Sequence, residues 1–187
     1  MKIAVYGGTF DPIHHAHLIL AREAREMLGL KKIIFVPAAV SPLKGSPVAS
    51  AEMRLLMLRA AIEDEAEFAA DDCELRRSPP SYTIDTIEEI QAREGDTEIY
   101  YLIGDDNVPA LAKWHRFDDL KKAVRFVVLD RTGTKPTHAY PIVHRRIDIS
   151  ATEIRKRVAC GQSIRYLVPQ SVEKIIQSEK LYQEQPK

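Results

Sequence analysis

Short apolar runs alternate along this chain with longer segments of helical periodicity, and that alternation leaves few folds open. Strands are expected near residues 2–6, 32–36, 68–73, 98–103, 126–129 and 143–147. Between the first two, Leu20, Ala21, Ala24, Met27 and Leu28 recur at helical spacing and Gly29 stops the helix, which makes one βαβ unit. A second helix over 52–63 carries Leu55, Leu56, Leu58 and Ile62, and a third from about Ser81 carries Ile84, Ile87 and Ile90. Ser150-Ala151-Thr152-Glu153 has the form of a capping box, with the hydroxyl meeting a free N–H and the glutamate reaching back. A last amphipathic helix follows Pro169, with Val172, Ile175 and Ile176 facing inward. The pattern predicts a doubly wound, Rossmann-like α/β fold: a parallel sheet of five to six strands with flanking helices.

Length and charge narrow the function classes. With 187 residues the chain is expected to form one domain over 1–187, with a helical portion, 150–182, packed on the sheet and 183–187 as a frayed tail. Lys plus Arg and Asp plus Glu both number 27, so no net charge draws the chain to nucleic acid or an anionic membrane. No apolar run approaches the length of a transmembrane helix, and the start of the chain lacks a secretory pattern. Cys73 and Cys160 form no disulfide or metal framework and are expected to stay reduced in a cytoplasm.

Three loops punctuated by Gly and Pro follow expected strands, over 7–12, 37–47 and 104–109, and all three should leave the carboxyl edge of the sheet and converge on one crevice. The first, Gly7-Gly8-Thr9-Phe10-Asp11-Pro12, leads through Ile13 to His14-His15-Ala16-His17. Two glycines let the backbone approach a ligand, and the helix N-terminus beyond them suits an anion. His14 and His17 lie one helical turn apart and can donate to neighbouring phosphate oxygens. The plainer readings are a simple turn and ordinary histidines; a zinc cluster of His14, His15 and His17 lacks a nearby cysteine and the usual spacing. Near the C-terminus, hydroxyls at Ser150 and Thr152 with the Arg155 guanidinium can surround a phosphate, or serve only as a helix cap.

Taken together, Gly7-Gly8-Thr9-Phe10-Asp11-Pro12 with His14-x-x-His17, and Ile149-Ser150-x-Thr152-x-x-Arg155, resemble the two signatures of the nucleotidyltransferase superfamily that moves adenylyl or cytidylyl groups. Phe35-Val36-Pro37 through Lys44, Ser81-Tyr82-Thr83, Gly104-Asp105-Asp106-Asn107 and Trp114-His115 are similar to segments of one branch, the bacterial nicotinate-nucleotide adenylyltransferases. The likeness runs from Lys2 to Tyr182 and departs at two places: Ala16 stands where glycine is usual, and Leu43 where histidine often precedes the basic residue.

The resemblance implies adenylyl transfer from ATP to nicotinate mononucleotide in NAD biosynthesis, with Mg²⁺ arriving on the ATP phosphates and no protein-only metal site. It implies that His14, His17, Lys44 and Arg155 are catalytic, His17 facing the α-phosphate and Lys44, Arg155 and the helix start at Ser150 holding the β- and γ-phosphates. ATP would also touch Gly7, Gly8, Thr9, Phe10, Gly104, Asp106 and Thr152, with Asp106 on the ribose unless Asp105-Asp106-Asn107 is only a helix cap. Nicotinate mononucleotide would meet Tyr82, Thr83, Trp114 and Arg131. Trp114 can stack on a pyridine ring or sit in the core, and Arg131 can meet the mononucleotide phosphate or lie in a solvated loop. Rival readings are transfer to nicotinamide mononucleotide or to phosphopantetheine, and a nucleotide-binding module without turnover. A homo-oligomer is compatible with the sequence.

Overall fold

The structure is a computed structural model that describes residues 1–39, 47–78, 80–131, 133 and 138–183. Its sheet has six parallel strands, β1 (Lys2–Gly8), β2 (Lys32–Pro37), β3 (Phe68–Ala70), β4 (Glu98–Gly104), β5 (Arg125–Asp130) and β6 (Ile142–His144), in the order β3-β2-β1-β4-β5-β6. The helices are α1 (His15–Leu28), α2 (Ala51–Ile62), α3 (Cys73–Arg76), α4 (Thr83–Glu94), α5 (Phe117–Ala123), α6 (Ala151–Ala159) and α7 (Gln170–Ser178), with a 3-10 helix at Asp105–Lys113.

Period-two alternation in the strands sends successive side chains to opposite faces, and both faces are apolar because both are covered. Ala4, Tyr6, Ile33, Phe35, Tyr100 and Leu102 join Leu20 of α1, Met57 of α2, Ile154 of α6 and Val172 of α7 in one core. Ile3, Val5, Ile34, Val36, Ile99 and Tyr101 join Ile87 of α4, Leu111 of the 3-10 helix and Leu120 of α5 in the other. Ile84, Ile87 and Ile90 repeat on one face of α4 and are essentially fully buried. Each such side chain contributes roughly 1.5–3 kcal/mol by burial, and Ile87→Ala would cost about 2–5 kcal/mol.

Strand order reverses between β1 and β4, where Tyr6 pairs with Phe35 on one side and Leu102 on the other. The two strands diverge in their onward connections there, and a crevice opens above their carboxyl ends. Helix α1, which rises from that crevice, ends as the sequence suggests: Gly29 sits at φ +62° and Leu30 N–H donates to Arg25 O at 3.0 Å.

Several boundaries differ from the sequence expectation. β1 runs on through Gly7 and Gly8. β3 stops at Ala70 instead of reaching Cys73, because Asp71 Oδ1 accepts from Cys73 N at 3.0 Å and turns the chain into α3. β6 covers Ile142–His144, not 143–147, although Arg145 N and Ile147 N still bond Asp130 O and Arg131 O. At α6 only the serine half of the expected box forms: Ser150 Oγ accepts from Glu153 N at 3.2 Å, while the Glu153 carboxylate faces Arg157 at 3.7 Å. Among the described residues no helix is long and apolar enough to cross a membrane.

Candidate active site

The crevice is a cleft of about 830 Å³, within the usual range for a small-molecule site. Its lining includes Gly7, Gly8, Thr9, Phe10, His14, His17, Tyr82, Thr83, Gly104, Asp106, Trp114, Arg131, Ser150, Thr152 and Arg155. Residues 40–46, and with them Lys44, lie outside the described residues; Ala38, Pro47 and Val48 of the same connection reach the cleft.

Close approach of side chains explains the glycine pair. A Cβ on Gly7 would lie 2.2 Å from the Tyr101 hydroxyl, and one on Gly8 would lie 2.7 Å from the Phe10 ring. Phe10 itself adopts φ +49°, and its buried ring packs 5.4 Å from Tyr6, 5.8 Å from Phe35 and 5.1 Å from His17. A left-handed conformation at a bulky residue is strained and is held by this packing.

That packing aims the histidines. His14 is the N-cap of α1 and only 1% exposed, and its ring stacks on His17 at 3.7 Å and 20°. The His14 backbone N–H donates to His17 Nδ1 at 3.3 Å, which puts the proton of a neutral His17 on Nε2. The His14 side chain faces the His17 backbone N–H in turn, in the reciprocal arrangement of a capping box, with Nδ1 buried. Burial, then the Arg131 charge, then that of His15, push the His14 pKa down to about 3, so its ring is neutral at physiological pH. His15 does not line the cleft; its backbone N–H donates to Leu167 O at 3.0 Å.

Positive charge comes from the facing wall. Arg155 Nη1 donates to Asp11 O at 2.7 Å and Nη2 to Thr152 Oγ1 at 3.4 Å, which holds the guanidinium across the loop from the histidines. Arg131 Nη1 donates to Ile149 O at 3.1 Å, so Arg131 is anchored at the cleft, not solvated in a loop. At the aromatic end, Tyr82 stacks on His115 at 4.2 Å and Trp114 meets Tyr101 edge-on at 5.9 Å. Trp114 both lines the cleft and packs on the core. Asp106 is exposed on the 3-10 helix, with Asn107 Nδ2 donating to its Oδ1 at 3.0 Å.

Sequence reasoning missed three supports. Arg54, 1% exposed, donates through Nη1 to Thr9 O and Ala38 O, both at 2.8 Å, and so ties the two loops together. Its signal was its position on the same α2 face as Met57, Leu58 and Ile62, where a charge is out of place. Asp11 accepts from Val48 N at 2.7 Å and Ala49 N at 3.2 Å. Beneath Tyr82 and Thr83, the buried Glu74 accepts from Thr86 Oγ1 at 3.0 Å, and burial raises its carboxyl pKa. Asp11 stood within the first motif without a role of its own, and Glu74 carried no local pattern by which to find it.

Known proteins resemble this chain in sequence and fold. The cytidylyltransferase-like family matches residues 5–157. A probable nicotinate-nucleotide adenylyltransferase of Exiguobacterium sibiricum is 40% identical over 97% of this chain and 99% of its own length. One of Geobacillus thermodenitrificans is 42% identical over 97% of this chain and 86% of its own. Among solved structures, the Plasmodium falciparum nicotinic acid mononucleotide adenylyltransferase complexed with NaAD shares the fold, with TM-score 0.79 at 19% identity over 97% of each chain. By whole-length identity and by the family match, the chain belongs to the cytidylyltransferase-like family and, within it, to the nicotinate-nucleotide adenylyltransferases.

Proposed function

We infer that this chain transfers the adenylyl group of ATP to nicotinate mononucleotide, giving deamido-NAD and pyrophosphate, as one domain working in the cytoplasm. The observation that carries the reading is the His14–His17 stack at a helix N-terminus, its His14 ring buried, in one cleft with two anchored guanidinium groups. Imidazole N–H donors at a helix N-terminus, in one cleft with fixed cations, suit a ligand rich in phosphoryl oxygens.

The nucleophile is already an anionic phosphate oxygen, so the chain need not deprotonate it and no covalent intermediate is required. Its task is to position both substrates and to stabilise charge as it spreads over the α-phosphate and onto the departing pyrophosphate. His17, with its Nε2 proton, donates to the α-phosphoryl oxygen, and His14 acts as a neutral neighbour rather than a cation. Arg155, Ser150 and Thr152, together with Lys44, hold the β- and γ-phosphates. Gly7, Gly8, Thr9, Phe10, Gly104 and Asp106 take the adenosine half; Tyr82, Thr83, Trp114 and Arg131 take nicotinate mononucleotide. Mg²⁺ enters as part of the substrate Mg-ATP: the donor set at this end is histidine, hydroxyl and guanidinium, while the Asp11 carboxylate is already engaged by two backbone N–H groups.

Pyrophosphate release from Mg-ATP, measured with nicotinate mononucleotide, nicotinamide mononucleotide and phosphopantetheine side by side, tests the reading. A rate with nicotinate mononucleotide far above the others supports it. Equal rates with both mononucleotides remove the selectivity for the acid, preference for phosphopantetheine removes the pyridine assignment, and silence with all three leaves a binding module.

A further inference from the structure

The Asp11 carboxylate gathers more chain than any motif around it suggests. It is 4% exposed, and besides Val48 N and Ala49 N it accepts the hydroxyl of Tyr182, Oη to Oδ1 at 2.7 Å, from 171 residues away. On the same residue, the backbone carbonyl accepts Arg155 Nη1 at 2.7 Å. The charges of Arg54 and Arg155 both act on the Tyr182 hydroxyl. Asp11 therefore joins four pieces at the phosphate end of the cleft: the loop leaving β1, the start of α2, α6 through Arg155, and the turn after α7 through Tyr182.

We propose that Tyr182 is a positioning residue for the reaction: by locking the Asp11 carboxylate it fixes the carbonyl that orients Arg155, and so sets the grip of the site on the β- and γ-phosphates. Burial, with Asp11 next, pushes the phenol up, so it stays a donor across the working pH range. The Asp11 side chain cannot rotate freely while Tyr182, Val48 and Ala49 all hold it, and its carbonyl carbon is bonded to the same Cα. Without the phenol, Oδ1 loses its shortest partner, only the Val48 and Ala49 N–H groups still hold the carboxylate, and the carbonyl that Arg155 bonds is fixed less firmly. A group acting on triphosphate alone should matter for ATP and not for AMP, which lacks the two outer phosphates. The proposal rests on the phosphate end assigned above, and ATP binding without an acceptor is read separately from turnover.

Tyr182→Phe keeps the ring and removes only the hydroxyl. Ser171→Ala is its control: Ser171 Oγ bonds Ala60 O at 2.9 Å, so the change removes another hydroxyl anchor of the same C-terminal segment, away from the cleft. Full-length proteins are titrated calorimetrically with Mg-ATP and with AMP, then assayed with nicotinate mononucleotide. For Tyr182→Phe, ATP affinity should fall about tenfold with AMP affinity within twofold of the parent, and the KM for ATP should rise while that for the mononucleotide stays level. Ser171→Ala should match the parent in all four. Equal losses for ATP and AMP, parental ATP affinity in Tyr182→Phe, or the same losses in Ser171→Ala would each overturn the proposal. A parent that binds ATP but is silent with nicotinate mononucleotide would refute the acceptor assignment and leave the ATP-against-AMP comparison standing.

Discussion

His14 should make this protein selectively unstable in mild acid. In the unfolded chain its imidazole has the ordinary pKa of 6.5, whereas in the fold, stacked on His17 and facing the Arg131 charge, it resists protonation until about pH 3. Between those values the unfolded state binds the extra proton, so stability rises with pH across the window and is lost as pH falls below 6.5. At pH 5 linkage gives a loss of about 2 kcal/mol relative to pH 8, which for a chain of this size lowers Tm by roughly 4–8 °C. The assay is thermal unfolding, without ligand, of the parent and of His14→Gln at both pH values. Titratable groups remote from His14 cancel in the double difference, so the parent should lose roughly 4–8 °C more than His14→Gln on going from pH 8 to pH 5. Parallel losses would refute the claim that the His14 ring is held neutral.

Three further outcomes follow from the site. His17→Ala should lower kcat by about 10²–10³ with the KM for ATP changed only a few-fold, because its donated bond strengthens as charge develops on the α-phosphate; single-turnover rates check this, and a loss confined to KM would contradict it. Arg54→Met keeps the buried stem but orphans the Thr9 and Ala38 carbonyls, and should cost about 2–4 kcal/mol in urea denaturation. Glu74 is raised above its ordinary 4.5 by burial, so its stabilising contribution is complete below 4.5 and declines as pH rises through the folded value. Glu74→Gln should therefore gain Tm relative to the parent on going from pH 5 to pH 7.5, and a relative loss would reverse the assigned shift.

Much of the fold was legible because its signals are local. The unbroken apolar runs Ile3 to Tyr6 and Ile33 to Val36 encode a sheet buried on both faces, and Gly29 encodes a left-handed helix stop. The stop of β3 at Ala70 was not legible, since a single side-chain turn at Asp71 overrides an apolar run that would otherwise continue. For the site, the loop from Gly7 to His17 and the helix start at Ser150 announced themselves, because glycine, histidine and capping hydroxyls at short spacing constrain local backbone and donors.

Sequence by itself thus determined the α/β alternation, the two motif segments that line the cleft and, by resemblance, the family. Tertiary structure alone decided that Arg155 is held by the Asp11 carbonyl, that Arg54 ties Thr9 to Ala38, that His115 covers Tyr82, and that Tyr182 closes on Asp11. The division has a physical cause. Periodicity and turn chemistry act over a few residues, whereas each of these contacts joins separate chain segments and exists only once the sheet order has brought them to one crevice.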